Sequence, residues 1–152
     1  MKKAIELLAV VFLVGLVFAA EASAQQGITW RGGGGWGPGT PYARLYDLQT
    51  AETVTGVVVS IDKITPWKGM SYGIHLVLKT DKETIPVHLG PAWYIENQDV
   101  KIVPKDKIEV KGSRITFDGK PALIAAEVKK WGEVLVLRDA NGFPVWSGWR
   151  RR

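Results

Sequence analysis

No cysteine occurs anywhere in the 152 residues. This excludes disulfides, lipid attachment through a cysteine, a cysteine nucleophile and covalent haem held by a Cys-x-x-Cys-His site, so the folded protein depends on its core alone. Histidine is scarce, with only His75 and His88. One long apolar run exists, Leu7 to Ala20, and it is shorter than the roughly 18–20 residues that span a bilayer. Catalytic signatures are missing as well. Ser60, Ser71, Ser113 and Ser147 have no nucleophile-elbow setting. The four glycines Gly32–Gly35 follow no strand and lack the Gly-Lys-Ser/Thr ending of a phosphate loop. Aspartate and glutamate are scattered singly, without an acid/base pair. The chain therefore reads as non-enzymatic.

Hydrophobic residues make up 46% of the sequence, enough for one domain with an ordinary core and peripheral segments. The formal net charge is +5 and the isoelectric point about 9.5, which permits an anionic partner without selecting one. Lys2 and Lys3, the apolar run, and Ala22-Ser23-Ala24 have the layout of an export signal cleaved after Ala24. An uncleaved anchor is the alternative. With the signal at 1–24 removed, no membrane span is expected, and the location is periplasmic or secreted, in or beyond the cell envelope.

The best-specified stretch is Gly73–Leu89. Folding it about Asp81-Lys82 pairs Leu78 with Ile85, Leu76 with Val87 and Ile74 with Leu89 on one apolar face. The other face carries Lys79 opposite Thr84, Val77 opposite Pro86, and His75 opposite His88. A one-residue slip would send every side chain of one strand to the wrong face, so the register is well determined. A four-residue loop, Thr80–Glu83, keeps the same pairing.

Before the hairpin, residues 25–52 form an arm rich in glycine and aromatics, with Trp30, Trp36, Tyr42 and Tyr46 around the glycine run. So many large rings are expected to dock, on this protein or on a neighbouring copy. Thr53–Ile61 has strand composition, with Val57, Val59 and Ile61 on one face and a bend or bulge at Gly56. Pro91–Gln98 suits one short helix with proline at its first position. Lys107–Phe117 reads as a strand whose apolar parity switches, which predicts a bulge at Gly112-Ser113. Asp118-Gly119 is a two-residue hairpin signal leading into Lys120–Lys129, whose Ala122, Ile124, Ala126 and Val128 line one face. Glu133–Leu137 is an extra short strand. Residues 139–152 repeat the glycine-and-aromatic style, with Phe143, Trp146 and Trp149 expected to dock and Arg150–Arg152 as a cationic end.

Three meandering strands, a short helix and a closing hairpin is the element order of the OB-fold, a five-stranded Greek-key barrel. Over Thr53–Leu137, with the segment VHLGPAWYIENQ leading from the third strand into the helix, the chain resembles the small exported bacterial OB-fold proteins. The resemblance implies a mainly β barrel over residues 53–138 and a binding role, since OB-folds share no diagnostic catalytic motif. It also implies where a ligand would lie: Trp67, Lys68 and Tyr72 from the first loop, His75, Lys79 and His88 from the hairpin, and Lys120 beside the second turn. Rings beside cations can stack bases or sugars and neutralise phosphate. The bland alternative has Trp67 capping the barrel end and the lysines acting as solubility charges.

Opposite residues on adjacent strands have Cβ atoms about 4.5–5.5 Å apart, close enough for His75 and His88 to share a weakly bound divalent metal. Two ligands are too few, so Met70, Asp81, Glu83 or a tail residue would have to complete the shell. The same pair also reads as ordinary hydrogen-bonded histidines, or as a protonation switch near pH 6. The sequence is compatible with three functions: engagement of an anionic or small ligand or of a partner protein through the outer face of the second and third strands, self-association through the arms, and metal binding.

Overall fold

The computed structural model describes residues 34–148. The expected export signal, the first part of the arm, Trp149 and Arg150–Arg152 lie outside the described residues. None of the described helices is long and apolar enough to cross a membrane.

Six strands form one sheet: β1 (Ala51–Ile64), β2 (Gly73–Lys79), β3 (Thr84–Pro91), β4 (Lys107–Phe117), β5 (Lys120–Lys130) and β6 (Glu133–Val136). The order is β3-β2-β1-β4-β5-β6, and a parallel contact of β3 with β5 at Val87–Leu123 and His88–Ile124 closes the first five strands into a ring. All other pairings are antiparallel. A single helical turn, α1 (Ala92–Ile95), follows β3. Pro91 is its N-cap in extended conformation rather than its first helical residue.

β1 serves two neighbours because it bends. Its first half pairs with β4 and its second with β2. The bend passes through Gly56, where a Cβ would sit 2.5 Å from the Lys79 carbonyl oxygen. A bulge between Val58 and Ser60 then shifts the side-chain parity. Val58 is buried, whereas Val57 and Val59 are 43% and 53% exposed; Ile61, expected on the same face as these two, lies past the bulge and is half-buried.

The β2–β3 hairpin has the expected partners at Leu78–Ile85, Leu76–Val87 and His75–His88. A register shift follows, so Ile74 faces Gly90 and not Leu89. Leu76, Leu78, Ile85 and Val87 join Ile108, Val110 and Val128 in the core. In β4 the shift falls between Lys111 and Gly112, beside the dipeptide where the apolar parity changes. Asp118 and Gly119 take φ of 53° and 76°, the positive values of a tight hairpin turn. In β5 every residue from Ala122 to Ala126 is buried, not only one face, because this strand is covered on both sides.

The flanking segments pack on the ring as well. The Trp36 indole N–H donates to the Ser71 carbonyl at 2.9 Å, and the Trp36 carbonyl accepts from the Trp146 indole at 2.8 Å. Trp36, Tyr42 and Trp146 are all buried. Phe143, expected to dock, is instead 55% exposed. Asp47 N–H and Thr50 Oγ1 both reach the buried Ser113 hydroxyl, tying the end of the strap to β4. The described part of the arm thus packs on its own ring.

Gly73 shows how closely. A Cβ there would fall on Cζ2 and Cη2 of Trp36 and 2.7 Å from the Gly90 carbonyl oxygen. Gly73→Ala is expected to cost about 1–3 kcal/mol, the range for overpacking. A thermal melt superposable on that of the parent would contradict this packing.

Candidate functional site

His88 leaves β3 on the side opposite the aliphatic core and enters an aromatic box. Tyr42 lies parallel to it at 6.0 Å between ring centroids, and Phe117 meets it edge-on at 4.9 Å. His75 stands across at 6.2 Å, with the two rings 71° apart. The Tyr42 hydroxyl and His88 Nδ1 are 2.8 Å apart in a buried hydrogen bond. With both groups neutral and the imidazole proton on Nε2, the phenol donates and Nδ1 accepts. Trp67 closes the box from outside, edge-on to Tyr42 at 5.9 Å and tilted over Phe117 at 6.5 Å.

Burial sets the protonation states. Desolvation, aided by the neighbouring His75, pushes His88 down to about 4. Burial also raises the Tyr42 phenol, with Arg138 pulling weakly the other way. Both groups are therefore neutral at pH 7. An imidazole expected to face solvent is instead only 2% exposed, because Tyr42 from the strap lies over it. The sequence places Tyr42 46 residues away, and no local pattern announces that contact.

The other expected site residues divide. Trp67 and Tyr72 are about two-fifths exposed, and Lys68 and Lys120 are exposed. Lys120 pairs with Phe117 across the β4–β5 turn, next to the box. Lys79 is at the far end of β2, opposite Thr84, and does not belong to this cluster. Lys63, not singled out from the sequence, sits 4.6 Å over the Tyr72 ring. His75 is half-buried, and its Nδ1 is buried without a hydrogen-bond partner. Among the described residues no group of three or more His, Asp or Glu gathers to hold a metal ion. The expected completion of a His75/His88 shell by Asp81 or Glu83 is thus not seen there. Glu83 is committed elsewhere.

That commitment is to a cluster no local sequence pattern announces. Arg114 on β4 makes paired bonds of 2.7–3.1 Å to Glu52 and of 2.8–2.9 Å to Glu83. It joins the start of β1 to the end of the hairpin loop. Hydrogen bonds from Arg114 lower both carboxylates, and each of the three side chains is about one-third exposed. At that exposure solvent screens much of the attraction.

A buried cation also holds the flanks together. The Arg138 guanidinium lies 5.0 Å from the Tyr46 ring and 5.5 Å from the Trp146 ring, and its Nη1 donates to the Gly142 carbonyl. Arg138 therefore bridges the strap and the C-terminal segment without a carboxylate among its described contacts.

With the geometry in place, comparison with known proteins gives one finding. Residues 50–135 match the model of the MamS/MamX magnetosome protein family. The chain belongs to that family. The matched region runs from just before β1 into β6, so the MamS/MamX match covers the whole ring and leaves out Trp36, Tyr42 and Trp146. No curated protein matches the sequence.

Proposed function

We propose that this protein is a non-catalytic binding module of the magnetosome, built on an OB-type barrel and exported through its N-terminal signal. The closed order β1-β2-β3-β5-β4, the parallel β3–β5 contact and the helical turn between β3 and β4 all support the OB reading. The binding surface is the rim made by Trp67, Tyr72, Lys68 and Lys120. The observation that carries this is the state of Trp67: one side is braced on Tyr42 and Phe117 while two-fifths of the residue remains open. A rigid, partly exposed aromatic loses little freedom on binding, which suits an anchor for a partner. Lys63, Lys68 and Lys120 beside it favour a partner presenting anionic groups. In this reading the buried His88 supports the rim from below and does not contact the partner.

The test is retention. Full-length protein should co-fractionate with isolated magnetosomes, and Trp67→Ala combined with Tyr72→Ala should reduce the bound fraction about tenfold or more at a temperature where a thermal melt shows the variant still folded. Unchanged retention of this folded double variant would rule out the rim.

A second reading keeps the metal. The buried, unpartnered Nδ1 of His75 facing the neutral His88 favours it. With only two imidazoles, affinity for copper, zinc or nickel would be weak. Calorimetric titration of the parent and of His75→Ala decides it: equal heats in the two proteins exclude the pair. Self-association through the arms is the remaining alternative. The exposed Phe143 is the described aromatic of the arms that could serve it.

A further inference from the structure

Among the described residues, two hairpins turn on two residues with positive φ. One is Asp118-Gly119, where aspartate tolerates the left-handed region. The other is Trp131-Gly132, between Lys130 and Glu133, with φ of 49° and 79°. A tryptophan there is a conformational outlier, since a bulky L side chain in the left-handed region is strained. Nothing in the fold repays that strain by burial, because Trp131 is 83% exposed. Strained residues kept without a packing reward mark functional positions.

What lies beside it gives the chemistry. Trp131 lines an open groove of about 330 Å³ whose other walls include Thr55, Lys107, Glu109, Lys129 and Glu133. The groove lies over the outer face of β1, β4, β5 and β6, away from the rim of Trp67. Lys130 steadies the ring: its Nζ is 5.6 Å from the Trp131 centroid and is itself fixed by Asp106 at 2.7 Å and the Lys101 carbonyl at 2.6 Å. Two lysines face two glutamates across the groove, so it offers no net field to a polyanion. Its floor mixes these polar side chains with Ile108 and Val134, the latter 45% exposed. One presented aromatic face beside a floor of mixed donors and acceptors matches a pyranose ring. The C–H face of the sugar stacks on indole, and its hydroxyls both donate and accept. The volume is at the small end for ligand sites and suits a short saccharide.

We propose that the groove beside Trp131 is a binding site for a neutral, pyranose-based glycan. This inference is independent of the partner rim and of the buried His88. Its test uses the full chain and three probes, cellotriose, maltotriose and chitotriose, followed by heteronuclear NMR. At least one probe should produce saturable shifts at the Trp131 indole and at the Thr55 and Lys129 amides. Trp131→Asn should weaken that binding about tenfold or more, with Trp131→Tyr intermediate. Asparagine is a better residue for this turn, so Trp131→Asn should melt at or above the parent temperature. The proposal is overturned if none of the three sugars moves the Trp131 signals, or if the shifts persist in Trp131→Asn. It is equally overturned if Trp131→Asn melts well below the parent, since Trp131 would then be structural.

Discussion

Trp36→Ala is expected to lower stability by about 3–5 kcal/mol, the cost of removing a large buried aromatic. Trp36 is 1% exposed and touches three separate parts of the protein. Its indole N–H satisfies the Ser71 carbonyl, its ring edge meets Tyr42 at 4.9 Å, and its carbonyl receives the Trp146 indole. Removing the ring therefore takes away the strap's contacts with Ser71 and Tyr42 while leaving the backbone carbonyl that Trp146 uses, and a loss of this size is a large share of the roughly 5–15 kcal/mol that holds an ordinary domain. Urea unfolding of the parent and of Trp36→Ala measures it. Trp36→Phe should fall between them, keeping most of the apolar contact but leaving the Ser71 carbonyl without its donor. A Trp36→Ala midpoint equal to that of the parent would mean that the strap contributes nothing to the folded state.

The second large effect is acid sensitivity from His88. Its folded value, about 4, lies below the ordinary 6.5, so between these pH values the unfolded chain binds a proton that the folded chain refuses. Stability from this residue is fully present above pH 6.5 and is lost as pH falls through 4. The shift corresponds to about 3 kcal/mol, an order-of-magnitude figure. Glu52 and Glu83, held low by Arg114, lose their contribution at the acid end of the same titration. The His88 share is isolated by comparing the parent with His88→Gln in chemical unfolding from pH 7 to pH 4. His88→Gln should start less stable at pH 7 and lose less on acidification. Parallel pH profiles would show that His88 is not desolvated in the folded protein.

The parts of this fold that could be read in advance are those fixed by neighbours in sequence. The β2–β3 register follows from aliphatic and polar residues that must share faces, and it fails only past His75, where a bulge intervenes. The parity change in β4 and the Asp118-Gly119 turn were legible for the same reason. In β1 the slip is not legible, because its bulge between Val58 and Ser60 interrupts an unbroken valine run and no residue type marks it. The covering of His88 was illegible because it depends on Tyr42, brought in by tertiary packing. The Trp131 turn was missed because Trp-Gly is not a dipeptide that favours such turns. Charge misled in a different way. Residues 34–148 carry fourteen Lys and Arg against thirteen Asp and Glu, so nearly all of the net +5 lies in the terminal segments. The rim of Trp67 is thus locally cationic on a nearly neutral body, and the groove beside Trp131 is balanced.

The whole arrangement depends on the strap closing over the β2–β3 face of its own ring, with Tyr42 on His88. Isotope-filtered NMR on an equal mixture of labelled and unlabelled full-length protein addresses that contact directly. The expected result is a Tyr42-to-His88 ring cross-peak arising only within one chain, with the His88 ring titrating near pH 4. A cross-peak between chains, or a His88 midpoint near 6.5, would contradict it.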